Sequence, residues 1–222
     1  MSARDIVLGK IRRSLGVTGE EVNRNATVDQ RLRQAPRGVV PARGQLAHAD
    51  QVALFRTMAE KAAATVTQVA SADAVPEAVA EYLRSRNLPA TLRMGDDRRL
   101  AAMPWSSTQV AVGHGPSDGS DAVGLNHAFA GVAESGTLVI RSGKDNPTTL
   151  NFLPETEIVV IDAKDIAGDY ETVWDRIREV DGKGFMPRTV NFITGPSRSG
   201  DIEQTIILGA HGPRALHIVV VG

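Results

Sequence analysis

Apolar positions recur along this chain in two rhythms, and their alternation sets the first picture of the fold. Val7, Ile11 and Leu15 are spaced by four, with Lys10, Arg12 and Arg13 between them. Residues 4–15 therefore predict an amphipathic helix, which Gly16 can end. Residues 17–49 lose that rhythm. They are polar, carry Pro36, Pro41 and several glycines, and predict a linker or an extended arm. From Ala49 the pattern tightens: Val52, Phe55, Ala59, Ala62 and Ala63 suit a helix, and 65–69 alternates as a strand. A helix over 73–86 rests on Val75, Val79 and Leu83, and one over 170–180 on Val173, Ile177 and Val180. Apolar runs at 89–94, 110–112, 122–125, 137–140, 157–161, 189–193 and 216–221 predict strands.

Continuous apolar strands alternating with helices predict an α/β fold, an open, largely parallel sheet with helices on both faces. The chain then divides into an N-terminal helix and arm over 1–49 and an α/β domain over 50–222. No internal repeat or heptad array is visible.

The stretch after residue 193 is the most informative. The apolar run stops at Gly195 and Pro196; Ser197, Arg198, Ser199 and Gly200 follow, then an apolar run over 202–208 and a break at 209–213. This predicts a strand, a polar loop, a short helix and a second loop. A helix N-terminus offers unpaired N–H groups to an anion, and Arg198 adds a fork of donors suited to carboxylate or phosphate. Ser199 would be the N-cap, with Asp201 and Glu203 in the first turn. Those acids oppose an anion, so the ligand hypothesis rests on Arg198 and the loop N–H groups. A well-capped strand-to-helix turn would use the same residues without a ligand.

Composition narrows the classes. Aromatics are only 4% against 42% apolar residues, so the core must be aliphatic and rich in alanine. The net charge of −1, with signs interspersed, excludes the basic stripe of a nucleic-acid binder. No apolar run approaches a membrane span, and the first residues lack the apolar centre of a signal peptide, so a cytoplasmic protein is expected. There is no cysteine, hence no thiol nucleophile, no disulfide and no thiolate to ligate an iron–sulfur cluster. His114, His127, His211 and His217 show no metal-ligand spacing, so no metal site is expected. Neither a Walker loop nor a G-x-G-x-x-G after the first strand supports a nucleotide site.

Three blocks carry a family resemblance: Ala133, Glu134, Ser135, Gly136, Thr137 and Leu138; then 153–160; then 194–203 with 208–213 and 216–219. In this order they resemble the lactate-utilization protein C family, the LUD domain, over roughly residues 50–222. Ser135 stands where that family usually has Thr, and Gly200 where it often has Ala. The resemblance implies a fold similar to ribose-phosphate isomerases and CoA transferases. It also implies a soluble component of a bacterial system oxidising L-lactate to pyruvate. The iron–sulfur centres would then belong to partner proteins, and this chain would bind a small carboxylate or phosphate. Two alternatives stay open. One is a stand-alone enzyme using Glu134 in acyl transfer or acid–base chemistry. The other is a non-catalytic assembly or regulatory subunit, with residues 1–49 packing on a partner.

Glu134 could instead bond the backbone N–H groups of the Ser135-Gly136 turn, and Ser135 and Thr137 could cap that turn or meet ligand oxygens. His211, in a loop, is a second catalytic candidate. His127 lies near Glu134 in sequence, and His217 within the last strand suits a buried structural role. The expected ligand-binding set is Ser135, Gly136, Thr137, Gly195, Ser197, Arg198 and Ser199. The loops at 133–136, 142–151 and 195–199 could converge on one cleft beyond the strand ends.

Overall fold

The structure is a computed structural model that describes residues 2–182, 184–202 and 205–222. Its contacts separate a unit up to Val39 from a unit starting at Val40. The first holds two helices, α1 (Ala3–Leu15) and α2 (Val22–Gln34). Ser2 and Asp5 close α1 with a reciprocal capping box, and Gly16 ends it in the left-handed conformation. The expected linker is thus helical over much of its length. α2 shows no regular apolar stripe, which is why periodicity did not reveal it; the Glu21 carboxylate at its N-cap accepts from the backbone of Thr18 and Gly19. Neither helix has a buried residue.

The second unit opens with α3 (His48–Lys61), followed by β1 (Thr65–Val69), α4 (Val75–Ser85), β2 (Thr91–Met94), the short α5 (Arg98–Ala101) and β3 (Ala111–His114). Then come β4 (Val123–His127), β5 (Ala130–Val132), β6 (Thr137–Arg141), β7 (Thr156–Asp162) and β8 (Ile166–Ala167). After α6 (Tyr170–Asp181) the chain makes β9 (Val190–Ile193), β10 (Arg198–Ile202), β11 (Thr205–Leu208) and β12 (Ala215–Val221).

Six strands form one parallel sheet in the order β1-β12-β7-β4-β2-β3. Period-two alternation along these strands feeds two cores. Val123, Leu125, Ile158, Val160 and Val219 pack with Val79, Leu83 and Leu100 on the face of α4 and α5. Val159, Ile161, Leu216, Ile218 and Val220 pack on the other face with Phe55 and Ala59 of α3. Both faces are therefore dry, as the apolar runs of a covered parallel sheet require.

A second sheet, β8-β5-β6-β9, was not expected. It is mixed: β5 pairs antiparallel with β6 and parallel with β8, and β6 pairs antiparallel with β9. Leu138 and Ile140 of β6 face the large sheet, while Val139 joins Val173 and Ile177 of α6. β5 and β8 have three and two residues, too few to show a period.

The expected short helix over 202–208 is not formed. β10 and β11 make an antiparallel hairpin, with Arg198 opposite Leu208 and Ser199 opposite Ile207. Thr205, Ile206 and Ile207 are consecutive β-branched residues, which favour extended backbone over helix. The helix N-terminus proposed for an anion, with Ser199 as its cap, is thereby removed. Glu203, assigned to its first turn, lies outside the described residues.

Candidate functional site

A cavity of about 280 Å³ opens where the end of β9 meets the starts of β7 and β12. Gly195, Ser197 and Arg198 line it, as do His211, Asn151 and Glu157. Phe152, Phe192, Pro196, Pro213 and Leu216 give it an apolar wall. Glu157 and Leu216 are each second in their strands and are paired in register. The cavity therefore lies at the amino ends of the parallel strands, not beyond their carboxyl ends as open α/β sheets usually place ligands.

Local geometry explains how the loop after β9 gets there. Gly195 has φ 71°, and any Cβ on it would drive into the Ala62 carbonyl oxygen just after α3. Arg198 Nη2 donates to that same carbonyl at 2.9 Å, so one arm of the guanidinium is engaged, and Arg198 is among the residues lining the cavity. Pro213 carbonyl accepts from Ser197 N–H at 2.9 Å, and Ser197 Oγ accepts from His211 N–H at 3.4 Å. These bonds tie the loop after β9 to the loop before β12.

The strongest feature of the cavity is Glu157, a residue that the apolar pattern of its strand hid. It is 1% exposed. Asn126 Nδ2 and Asn151 Nδ2 both donate to its Oε1, at 3.2 and 2.7 Å. Asn191 Nδ2 in turn donates to Asn151 Oδ1 at 3.0 Å. Burial pushes the Glu157 carboxyl up to about 8, against which the two amide donors pull only partly. A signal was present in the sequence: a charged residue directly precedes the unbroken apolar run 158–161.

The second predicted group is near but separate. Thr137 Oγ1 lies 2.7 Å from Ser135 Oγ, 2.8 Å from the Tyr170 hydroxyl and 2.7 Å from Thr194 Oγ1. This hydroxyl cluster touches the cavity through Thr194. Gly136, at φ 66°, packs its turn against the backbone of α3 where a Cβ has no room. Glu134 is buried, accepts from Tyr170 N–H at 3.3 Å near the start of α6, and is not among the residues lining the cavity. Ser199 pairs in the hairpin and does not line it either. Of the loop 142–151, only Asn151 reaches the cavity.

The two buried histidines are placed by packing. His217 stacks on Tyr82 with centroids 3.9 Å apart, and its Nδ1 lies 2.8 Å from Thr65 Oγ1. Burial first, then the Arg86 charge, lowers it to about 4. His127 is buried at the end of β4, with Nδ1 2.9 Å from the Ala128 carbonyl and Nε2 3.9 Å from Asp162. Its pKa is lowered by burial and then by Arg99. Among the described residues no three His, Asp or Glu side chains gather as a metal would require, and no helix is long and apolar enough to cross a membrane.

The comparisons agree with this architecture. A chain described as a DUF162 family protein from Deinococcus radiodurans has a similar fold, with a TM-score of 0.55 and 22% identity over 80% of this chain and 99% of that one. Lactate utilization protein C of Geobacillus thermodenitrificans is 32% identical over 183 residues, 79% of this chain and 74% of its own length. The protein of that name from Bacillus subtilis is 38% identical over 100 residues, 44% of this chain and 42% of its own length. The LUD domain profile matches residues 52–221, which include both sheets, the cavity and the hydroxyl cluster, so the chain belongs to the LUD domain family.

Proposed function

We propose that this chain is a component of lactate utilization that works beside iron–sulfur partner proteins in oxidising L-lactate to pyruvate. The observation that carries the proposal is the relationship to lactate utilization protein C across about four-fifths of the chain (79%). The sequence has no cysteine, so the iron–sulfur centres of such an oxidation would belong to other proteins. Its own part is to hold a small carboxylate in the cavity beside β9, where Arg198 supplies positive charge and the aromatic and proline wall receives an apolar substituent. The position of Glu134 favours this over a stand-alone acyl-transfer enzyme, because that carboxylate is bonded to the backbone near the start of α6.

The test is gentle purification of the tagged chain from its native cells, with iron measured on the same sample, and growth of a deletion strain on L-lactate. Stoichiometric cysteine-rich partners with iron, and loss of growth on lactate alone, are expected. A lone, iron-free protein and unimpaired growth would overturn the proposal.

A further inference from the structure

Glu157 is a buried carboxyl with no cation paired to it among the described residues. Among the described residues no Lys, Arg or His nitrogen pairs with it, and its hydrogen-bond partners are two neutral amides. Both donate to Oε1, and no described group bonds Oε2. An unpaired carboxylate in such a place costs several kcal/mol, which taking up a proton avoids. The amides fix where that proton sits: Oε1 accepts twice, so Oε2 carries the hydrogen. The Asn191–Asn151–Glu157–Asn126 chain then holds the acid in one orientation beside the cavity.

We propose that Glu157 acts as a neutral hydrogen-bond donor to the ligand of this cavity, and that the ligand is a short monocarboxylate of the 2-hydroxy or 2-oxo acid class. This deepens the carboxylate-binding part of the proposed function and rests on it. A carboxylate oxygen accepts from an acid O–H with a strong, charge-assisted bond. A single negative charge matches the single guanidinium of Arg198. A dianion would place uncompensated charge against a buried acid. The cavity of about 280 Å³ has room for such a ligand together with water, and Phe152, Phe192 and Leu216 suit an apolar tail. The other titratable or charged groups lining the cavity are Arg198, on β10, and His211, in the loop before β12. The elements packed around Glu157 otherwise present only the neutral amides of Asn126, Asn151 and Asn191.

The experiment is calorimetric titration of the purified full chain with pyruvate, L-lactate, malonate and inorganic phosphate, for the wild type and Glu157→Gln, at pH 7 and pH 9. Gln keeps a donor but cannot ionise. Wild-type affinity for the monocarboxylates should fall about tenfold over that interval, and the Gln variant should hold its affinity within about threefold. Parallel weakening of both proteins would overturn the role of Glu157. Tighter binding of malonate or phosphate, or no saturable monocarboxylate binding, would overturn the ligand class. Infrared spectroscopy of the wild type at pH 7 gives a check that needs no variant: absence of a protonated-carboxyl C=O band would also refute it. Failure here with intact iron-bearing partners and lactate-dependent growth would leave the lactate-utilization role standing, so the two can be told apart.

Discussion

Replacing Glu157 by Gln should make the protein more stable at neutral pH, and the gain should depend on pH in a defined way. The carboxyl is pushed from 4.5 to about 8 by burial, so the native state keeps a proton that the unfolded chain releases. Below about pH 4.5 both states are protonated and no difference arises. Between that value and about 8 the native state binds more protons than the unfolded one, so stability falls as pH rises. The slope is about 1.4 kcal/mol per pH unit, which accumulates to about 3 kcal/mol by pH 7 and about 4 kcal/mol by pH 8, and levels off at about 5 kcal/mol above that. Gln removes this penalty and keeps Oε1 for the amides of Asn126 and Asn151. Every other titrating group is common to both proteins and cancels in the difference. Urea unfolding followed by the fluorescence of Trp105 and Trp174, from pH 4.5 to pH 9, measures that difference directly. It should climb across the interval and flatten above about pH 8. A stability difference that stays constant with pH would refute the argument, because it would mean that Glu157 ionises alike in both states.

Three further outcomes follow from the same packing. Gly195→Ala should cost about 2–4 kcal/mol in urea unfolding, because it combines a left-handed backbone with a collision at the Ala62 carbonyl; a cost under about 1 kcal/mol would show that the loop can shift. Thr137→Val should cost about 1–3 kcal/mol, since Thr194 Oγ1 loses its partner in the cluster, while the Ser135 and Tyr170 hydroxyls keep only their mutual bond; a neutral result would mean that Thr194 finds another partner. His217, lowered from 6.5 to about 4, is neutral in the native state while the unfolded chain takes up a proton, so stability should rise with pH between those values by about 1.4 kcal/mol per unit. His217→Phe should keep the stack on Tyr82 and abolish that part of the pH dependence, measured as the midpoint of thermal unfolding from pH 4 to pH 7.

Local pattern determined a good deal of this protein. The spacing by four in α4 and α6 and the apolar runs of β7 and β12 are properties of single segments, and the structure realises them where the periods placed them. The parallel sheet follows from the same runs, because strands without polar alternation need cover on both faces. The signature blocks likewise identify the family from residues close in sequence. Part of what failed was non-local. The three residues of β5 and two of β8 become strands only because β6 and β9 supply their partners, and no local period encodes a partner. The β-branched run at 205–207 pairs with β10 as a hairpin, against the helix expected from its setting between two loops. Tertiary structure also sorted the candidate residues. It brought Gly195, Ser197, Arg198 and His211 around one cavity and turned the Glu134 carboxylate to the backbone of α6. It gave Glu157 an environment in which charge is expensive. Desolvation depends on what surrounds a side chain in three dimensions, and those surroundings come from β4, β9 and the loop before β7 at once.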